Sequence, residues 1–244
     1  MIIGGLEKLT LIDFPGKLAC TVFLAGCNFR CPFCYSSELV LPEKIKKQPR
    51  ISEEDFFKFL EERKNLLEGC VLLGGEPTLN RDLPEFAKKI KSSGYQVKLD
   101  TNGSNPEMLQ QMIDDGLIDY VSMDIKAPKE KYDLVAGVKV DLGAIEKSIA
   151  VLEKGKVDYE FRTTVVPGLL AKEDIVEIAK WISGVKEKSG NKGSTQKRKY
   201  YLQNFKPTKT LDPKFENIQS YPDEYILEIT KEVSPFFDEC KARL

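Results

Sequence analysis

The chain has 244 residues, with 37 Lys and Arg against 38 Asp and Glu, 41% hydrophobic residues, six Cys and no His. A near-neutral balance argues against a protein whose main work is neutralising nucleic-acid phosphates. The longest apolar runs, such as residues 19–25, fall far short of the ~20 residues that span a bilayer. Without histidine there is no Ser-His-Asp or Cys-His couple, no His-ligated zinc hydrolase site and no imidazole proton shuttle. Catalysis has to run on Cys, carboxylates, Lys, Tyr, backbone groups or a bound cofactor. The N-terminus lacks the basic-then-apolar order of a signal peptide, so a soluble, cytoplasmic protein with neither a nucleic-acid nor a membrane partner is expected.

In chain order, strands are predicted over 9–14 and 18–24, joined at Pro15 and Gly16, and the second runs into a loop with Cys27, Cys31 and Cys34. Residues 42–50 are rich in Lys and Pro. Ser52 and the acidic residues after it, followed by Phe56, Phe59 and Leu60, read as a capped amphipathic helix. A short buried strand over 70–73 ends in Gly74, Gly75, Glu76 and Pro77. Helix 83–92, strand 97–100 and a helix from Asn105-Pro106 to about Asp114 follow. Then come strand 120–125, helix 142–154, strand 159–166 and helix 171–185. A basic stretch over 186–199 is expected to be a solvated loop, and strand 200–204 precedes a closing helix over about 223–238. No internal repeat is present.

Leaving out the N-terminal hairpin arm, 1–17, this is six strand-then-helix modules. Such alternation predicts a parallel sheet covered by helices. Six modules are too few for a closed eight-fold barrel. The expected architecture is therefore α/β, a partial (β/α)6 TIM-like barrel in a single domain, its core spanning about 18–205.

The cysteines divide into two groups. Cys20, Cys70 and Cys240 are scattered and read as small buried hydrophobes. Cys27, Cys31 and Cys34 are separated by three and then two residues, so one loop can wrap one small soft centre. Thiolates select zinc or iron–sulfur. A structural zinc takes four protein ligands, whereas three thiolates leave one metal site open, a count that fits a four-iron cubane. A zinc knuckle completed by Cys20, Cys70 or Cys240 is the alternative.

In parallel α/β architectures functional groups collect at the carboxyl ends of strands, and five successive predicted strand ends here carry unusual residues. They are the Cys triplet, Gly74 to Pro77, Asp100-Thr101-Asn102-Gly103, Asp124 to Lys126, and Val165 to Gly168. Taken singly, the Gly-bearing segments read as ordinary turns. Asp124 and Lys126 share a strand face and could form a plain ion pair. Arg162 lies in an apolar strand and, if inward, requires a carboxylate; the alternative is that it faces a helix.

Together these features resemble the radical S-adenosylmethionine superfamily. The Cys-x3-Cys-x2-Cys spacing has an aromatic, Phe33, before the third Cys, and the Gly-Gly-Glu-Pro segment follows one strand later. The block from Gly5 to Ala19, together with Asp100 to Gly103, Met123 to Lys126 and Val165 to Gly168, narrows the resemblance to glycyl-radical-enzyme activases, in particular those of anaerobic ribonucleoside-triphosphate reductase. The pyruvate formate-lyase activating enzyme is a further relative. The likeness covers about residues 5–205.

The resemblance implies that Cys27, Cys31 and Cys34 hold a [4Fe-4S] cluster whose open iron chelates S-adenosylmethionine. Gly74, Gly75, Glu76 and Pro77 would receive its amino group through backbone oxygens. Asp100, Asn102, Lys126 and Arg162 would contact the cofactor, and a monovalent cation would sit on Asp100, Thr101, Ser122 and Asp124. The implied reaction is reductive cleavage to a 5′-deoxyadenosyl radical, which removes a hydrogen atom from a glycine of a partner glycyl radical enzyme. No protein side chain acts as a catalytic acid or base. A flavodoxin or ferredoxin would donate the electron.

The chain departs from the family pattern where Tyr35 and Ser36 replace a His-Asn pair after the third Cys, and Gln203 is expected to replace a cofactor-facing His. Tyr35 remains able to lie against an adenine. Two other readings stand beside the activase: a radical enzyme acting on a small molecule such as a 7-deazapurine precursor, and a non-catalytic metal or electron-carrying module.

Overall fold

The chain opens with a hairpin of β1 (Ile3–Thr10) and β2 (Ala19–Leu24), paired antiparallel, in which β2 is a buried run and β1 is half-buried to exposed between its buried ends. The first strand was expected over 9–14, but it ends at Thr10 for a local reason. The Thr10 hydroxyl accepts the backbone N–H groups of Ile12 and Asp13 at 3.3 and 3.2 Å, a side-chain-to-backbone turn that competes with a strand ladder. Leu11 and Ile12 are turned out to solvent, while Phe14 is turned inward and buried.

The computed structural model describes residues 1–189 and 196–244. They fall into two compact units interleaved along the chain. The first comprises Met1–Asn28, Ser36–Thr101 and Glu107–Val121; the second comprises Phe29–Tyr35, Asn102–Pro106 and Ser122–Leu244.

In the first unit β2 continues in parallel with β3 (Gly69–Gly74), and β3 with β4 (Gln96–Thr101). Two single-turn helices, α1 (Ser37–Val40) and α2 (Pro42–Ile45), precede α3 (Glu53–Glu62). As expected, the Ser52 side chain caps α3 by accepting the N–H of Asp55 at 3.0 Å. Helix α4 (Leu83–Ser92) has the predicted bounds, with apolar residues at 83, 86, 87 and 90 all buried. Phe56 of α3 meets Phe86 of α4 with ring centroids 5.2 Å apart. Cys20 and Cys70 face each other in register, both fully buried. Helix α5 (Pro106–Asp114) starts at the predicted proline, and β5 (Tyr120–Asp124) begins in the first unit and ends in the second.

The second unit carries a short helix, α6 (Tyr132–Ala136), then α7 (Leu142–Glu153), β6 (Asp158–Val165), α8 (Lys172–Ser189) and β7 (Lys199–Asn204). Part of the basic segment expected as a loop, 186–189, continues α8; residues 190–195 lie outside the described residues. The predicted closing helix is shorter than expected. It is α9 (Asp223–Val233), broken by Pro235 in a 3-10 turn. Beyond it a strand absent from the sequence reading, β8 (Glu239–Arg243), pairs in parallel with β7, which pairs in parallel with β6. Arg198 anchors this end: its guanidinium meets the buried Glu153 carboxylate at 2.7 Å. Among the described residues, β2 to β7 are each followed by helix, the six modules expected, and no helix is long and apolar enough to cross a membrane.

Phe14 packs with Ala19, Val71 and Tyr120 in the core of the first unit. Phe14→Ala is expected to lower the unfolding free energy by about 3–5 kcal/mol, read as a drop in the denaturant midpoint with an unchanged slope.

Candidate active site

The end of β2 leads through Ala25 and Gly26 to Cys27, and the end of β3 is zipped onto it. Gly75 N–H donates to Leu24 O at 2.8 Å and Glu76 N–H to Gly26 O at 2.7 Å. A Cβ on Gly75 would lie 2.0 Å from Gly26 O, and one on Gly74 2.3 Å from Leu24 O. The Gly-Gly pair is thus a close backbone approach that excludes any side chain, beyond the ordinary turn that its sequence suggests in isolation. Gly26 N–H in turn donates to Leu39 O of α1 at 2.7 Å.

Glu76 is turned into the protein. Its Oε1 accepts from Thr78 N–H at 3.1 Å, Thr78 Oγ1 at 2.6 Å and Thr101 Oγ1 at 2.8 Å. The carboxylate therefore ties the end of β3 to the end of β4, a strut that the sequence reading did not anticipate. Pro77 begins a 3-10 turn and is buried. Asp100, on β4, pairs with the Lys98 ammonium at 3.0 Å.

In the second unit the Cys31–Cys34 turn is held from three distant segments. Arg30 N–H donates to Ala136 O at 2.8 Å, and the residue after it, Gly137, has φ +68° with no room for a Cβ, which would lie 2.2 Å from Arg30 O. Asp212 N–H donates to Pro32 O at 2.8 Å. Tyr35 stacks on Phe205, centroids 5.9 Å apart and planes 9° apart, while its hydroxyl accepts from Lys206 N–H at 2.9 Å. Within the turn, Cys34 N–H donates to Cys31 O at 3.0 Å.

The expected ion pair is a triad. Asp124 accepts from Lys126 Nζ at 2.8 Å and from Arg162 Nε at 2.9 Å, so Arg162 meets a carboxylate as an inward guanidinium requires. Burial alone would raise the Asp124 carboxyl; Arg162 and Lys126 override it and hold the group well below the usual carboxylate range. Burial would likewise pull the Lys126 ammonium down, but Asp124, with Cys31 as a further anionic neighbour, keeps it above its ordinary value.

Gln203 registers with Thr164 on β6 and Arg243 on β8. Two further charged groups on these strands escaped the sequence reading. Glu160 is fully buried, takes both Arg243 contacts at 3.0 Å and accepts from Ser122 Oγ at 2.9 Å. The Arg243 guanidinium lies 4.2 Å over the Tyr201 ring. The i, i+2 alternation of Glu160 with Arg162 was the available signal; that of β8 was hidden by its shortness.

Asn102 turns back on itself, its Oδ1 accepting Ser104 N–H at 2.9 Å. The four residues expected to hold a monovalent cation are all engaged by protein groups: Asp100 by Lys98, Thr101 by Glu76, Ser122 by Glu160, and Asp124 by Lys126 and Arg162. The scattered cysteines lie in strands; burial pushes the Cys240 thiol up to about 12.

Comparison with known proteins gives a consistent result. The Radical SAM superfamily matches residues 21–182. A Methanocaldococcus jannaschii protein, provisionally named a glycyl-radical enzyme activating enzyme, is 31% identical over 99% of this chain and 95% of its own length. A second protein of that organism with the same provisional name is 29% identical over 75% of this chain and 69% of its own. The crystal structure of Streptococcus suis SuiB bound to S-adenosylmethionine shares the fold, with a TM-score of 0.59 at 13% identity, over 92% of this chain and 45% of that one. The expected α/β architecture is thus the one found.

The buried Glu76 strut generates a prediction. Glu76→Gln would place an amide where three donors converge, and is expected to cost about 1–3 kcal/mol of stability, measured as a lowered thermal midpoint under anaerobic conditions.

Proposed function

From the premise that the chain belongs to the radical S-adenosylmethionine superfamily, we propose that it is an activating enzyme that installs a radical on a glycine of a partner enzyme. Membership brings with it a [4Fe-4S] cluster and S-adenosylmethionine. When bound, these supply one-electron cleavage of the sulfonium and removal of a hydrogen atom from the substrate carbon. The observation that supports the activase over other radical enzymes is the end-to-end likeness to the first M. jannaschii relative.

The residues present fit the cofactors. Cys27, Cys31 and Cys34 form no disulfide and offer an all-sulfur donor set suited to iron–sulfur. Among the described residues no three His, Cys, Asp or Glu side chains converge on a single-ion site; a multi-iron cluster held by the three cysteines would not require such convergence. In this reading the three cysteines hold the cluster.

The main chain of Gly74 to Pro77 receives the amino group of S-adenosylmethionine. The Asp124–Lys126–Arg162 triad, one carboxylate against two cations, faces an anionic group. Asp100 and Asn102 contact the ribose side, and Tyr35 and Gln203 border the nucleoside. Removing a hydrogen atom, unlike a proton, needs no general base, which suits a chain without histidine. The partner is a glycyl radical enzyme, and the electron comes from a flavodoxin or ferredoxin.

The test is anaerobic reconstitution, reduction with dithionite and addition of S-adenosylmethionine with candidate glycyl radical enzymes. A glycyl doublet in the partner by electron paramagnetic resonance, with matched release of methionine, is expected. Turnover of a small molecule without any partner protein would overturn the activase reading. Cys27→Ala, Cys31→Ala and Cys34→Ala should each abolish the cluster absorbance, whereas Cys70→Ala, a fully buried strand position, should keep it.

A further inference from the structure

Lys98 is a lysine in the interior of the first unit, 2% exposed, flanked along β4 by the apolar Val97 and Leu99. An ammonium there requires partners, since an unpaired buried charge is strongly unfavourable. It has three. Nζ donates to the main-chain carbonyl of Asp13, lies 3.0 Å from Asp100 Oδ1, and sits 5.8 Å from the centre of the Tyr120 ring.

Two of the three, the Asp13 carbonyl and the Tyr120 ring, are themselves held in place. The Asp13 carboxylate accepts from Thr21 Oγ1 at 2.8 Å, and Thr21, Val71 and Lys98 stand in one row across β2, β3 and β4. The Asp13 carbonyl is aimed by the turn in which the Thr10 hydroxyl takes two N–H groups. Tyr120 is braced by the Phe14 ring, centroids 6.2 Å apart. The block around Thr10, Asp13 and Phe14, which the cofactor contacts above leave without a role, thus builds a floor beneath one lysine.

Because side chains two apart on a strand share a face, that lysine points the same way as Asp100, one residue pair nearer the carboxyl end of β4. We infer that Lys98 is a positioning residue: held by the N-terminal turn, it fixes the Asp100 carboxylate in the orientation that receives S-adenosylmethionine. The inference rests on the reading of Asp100 as a cofactor contact. It assigns the N-terminal block to the cofactor site through a relay, Asp13 to Lys98 to Asp100, and not through direct contact.

The test is a double-mutant cycle on the anaerobically reconstituted enzyme, reading the dissociation constant for S-adenosylmethionine, with cluster absorbance measured alongside. Asp100→Asn is expected to weaken binding tenfold or more. Lys98→Met is expected to weaken it comparably while cluster content stays at the wild-type level. The double variant Lys98→Met/Asp100→Asn should bind no more weakly than Asp100→Asn alone, because the lysine acts only through the carboxylate.

A merely structural role for Lys98 would give losses that add, and additivity overturns the inference. So does an unchanged affinity in Lys98→Met when Asp100→Asn is impaired. An unchanged affinity in Asp100→Asn overturns the cofactor reading of Asp100 and the inference with it. If Lys98→Met alone does not fold, the double variant, which removes the buried charge together with its partner, still decides: equality with Asp100→Asn sustains the relay, and further loss refutes it.

Discussion

The first unit is organised around a main-chain contact that tolerates no side chain. Gly26 O accepts the N–H of Glu76 at 2.7 Å, and the chain between them passes so close that a Cβ on Gly75 would lie 2.0 Å from that oxygen. The segment entering Cys27 is consequently in register with the segment leaving β3, and its direction is set by backbone hydrogen bonds rather than by loop propensity. Glu76 extends the same constraint to β4 through Thr101. One glycine pair and one buried carboxylate thereby order three consecutive strand ends.

Buried and half-buried charges on and beside the strands are matched with opposite charges. Lys98 with Asp100, Arg162 and Lys126 with Asp124, and Arg243 with Glu160 are each within 3.0 Å. A buried ion pair is a weak source of net stability, since desolvation offsets much of the attraction, but breaking one is costly. Such pairs therefore fix geometry more than they add free energy. In a chain without imidazole, fixed carboxylates and cations are what remain for orienting a charged cofactor while the cofactor itself supplies the chemistry.

Elements carried by periodicity were legible. Helix α4 has the predicted bounds because its apolar residues recur at helical spacing and its first turn is marked by Pro84. The capped start of α3 was equally plain. Two strands were misread for different reasons. Residues 9–14 look like a strand by composition, yet a single hydroxyl, that of Thr10, redirects the backbone. Residues 239–243 lie beyond the predicted closing helix and were not read as a strand, because their pairing with β7 depends on a partner some forty residues away.

The site divides along the same line. The sequence alone determined the soft three-thiol loop, the absence of any imidazole and the polar residues at successive strand ends, because donor chemistry, spacing and the parallel α/β rule are local properties of the chain. Tertiary structure decided which of those residues are engaged and by what. It turned Glu76 inward as a strut, placed Asp124 between two cations, laid Tyr35 on Phe205, and set the Asp13 carbonyl, 85 residues earlier in the chain, against Lys98. Those outcomes depend on partners distant in the chain, Thr101 for Glu76, Arg162 for Asp124, Phe205 for Tyr35 and Asp13 for Lys98, which no local pattern encodes.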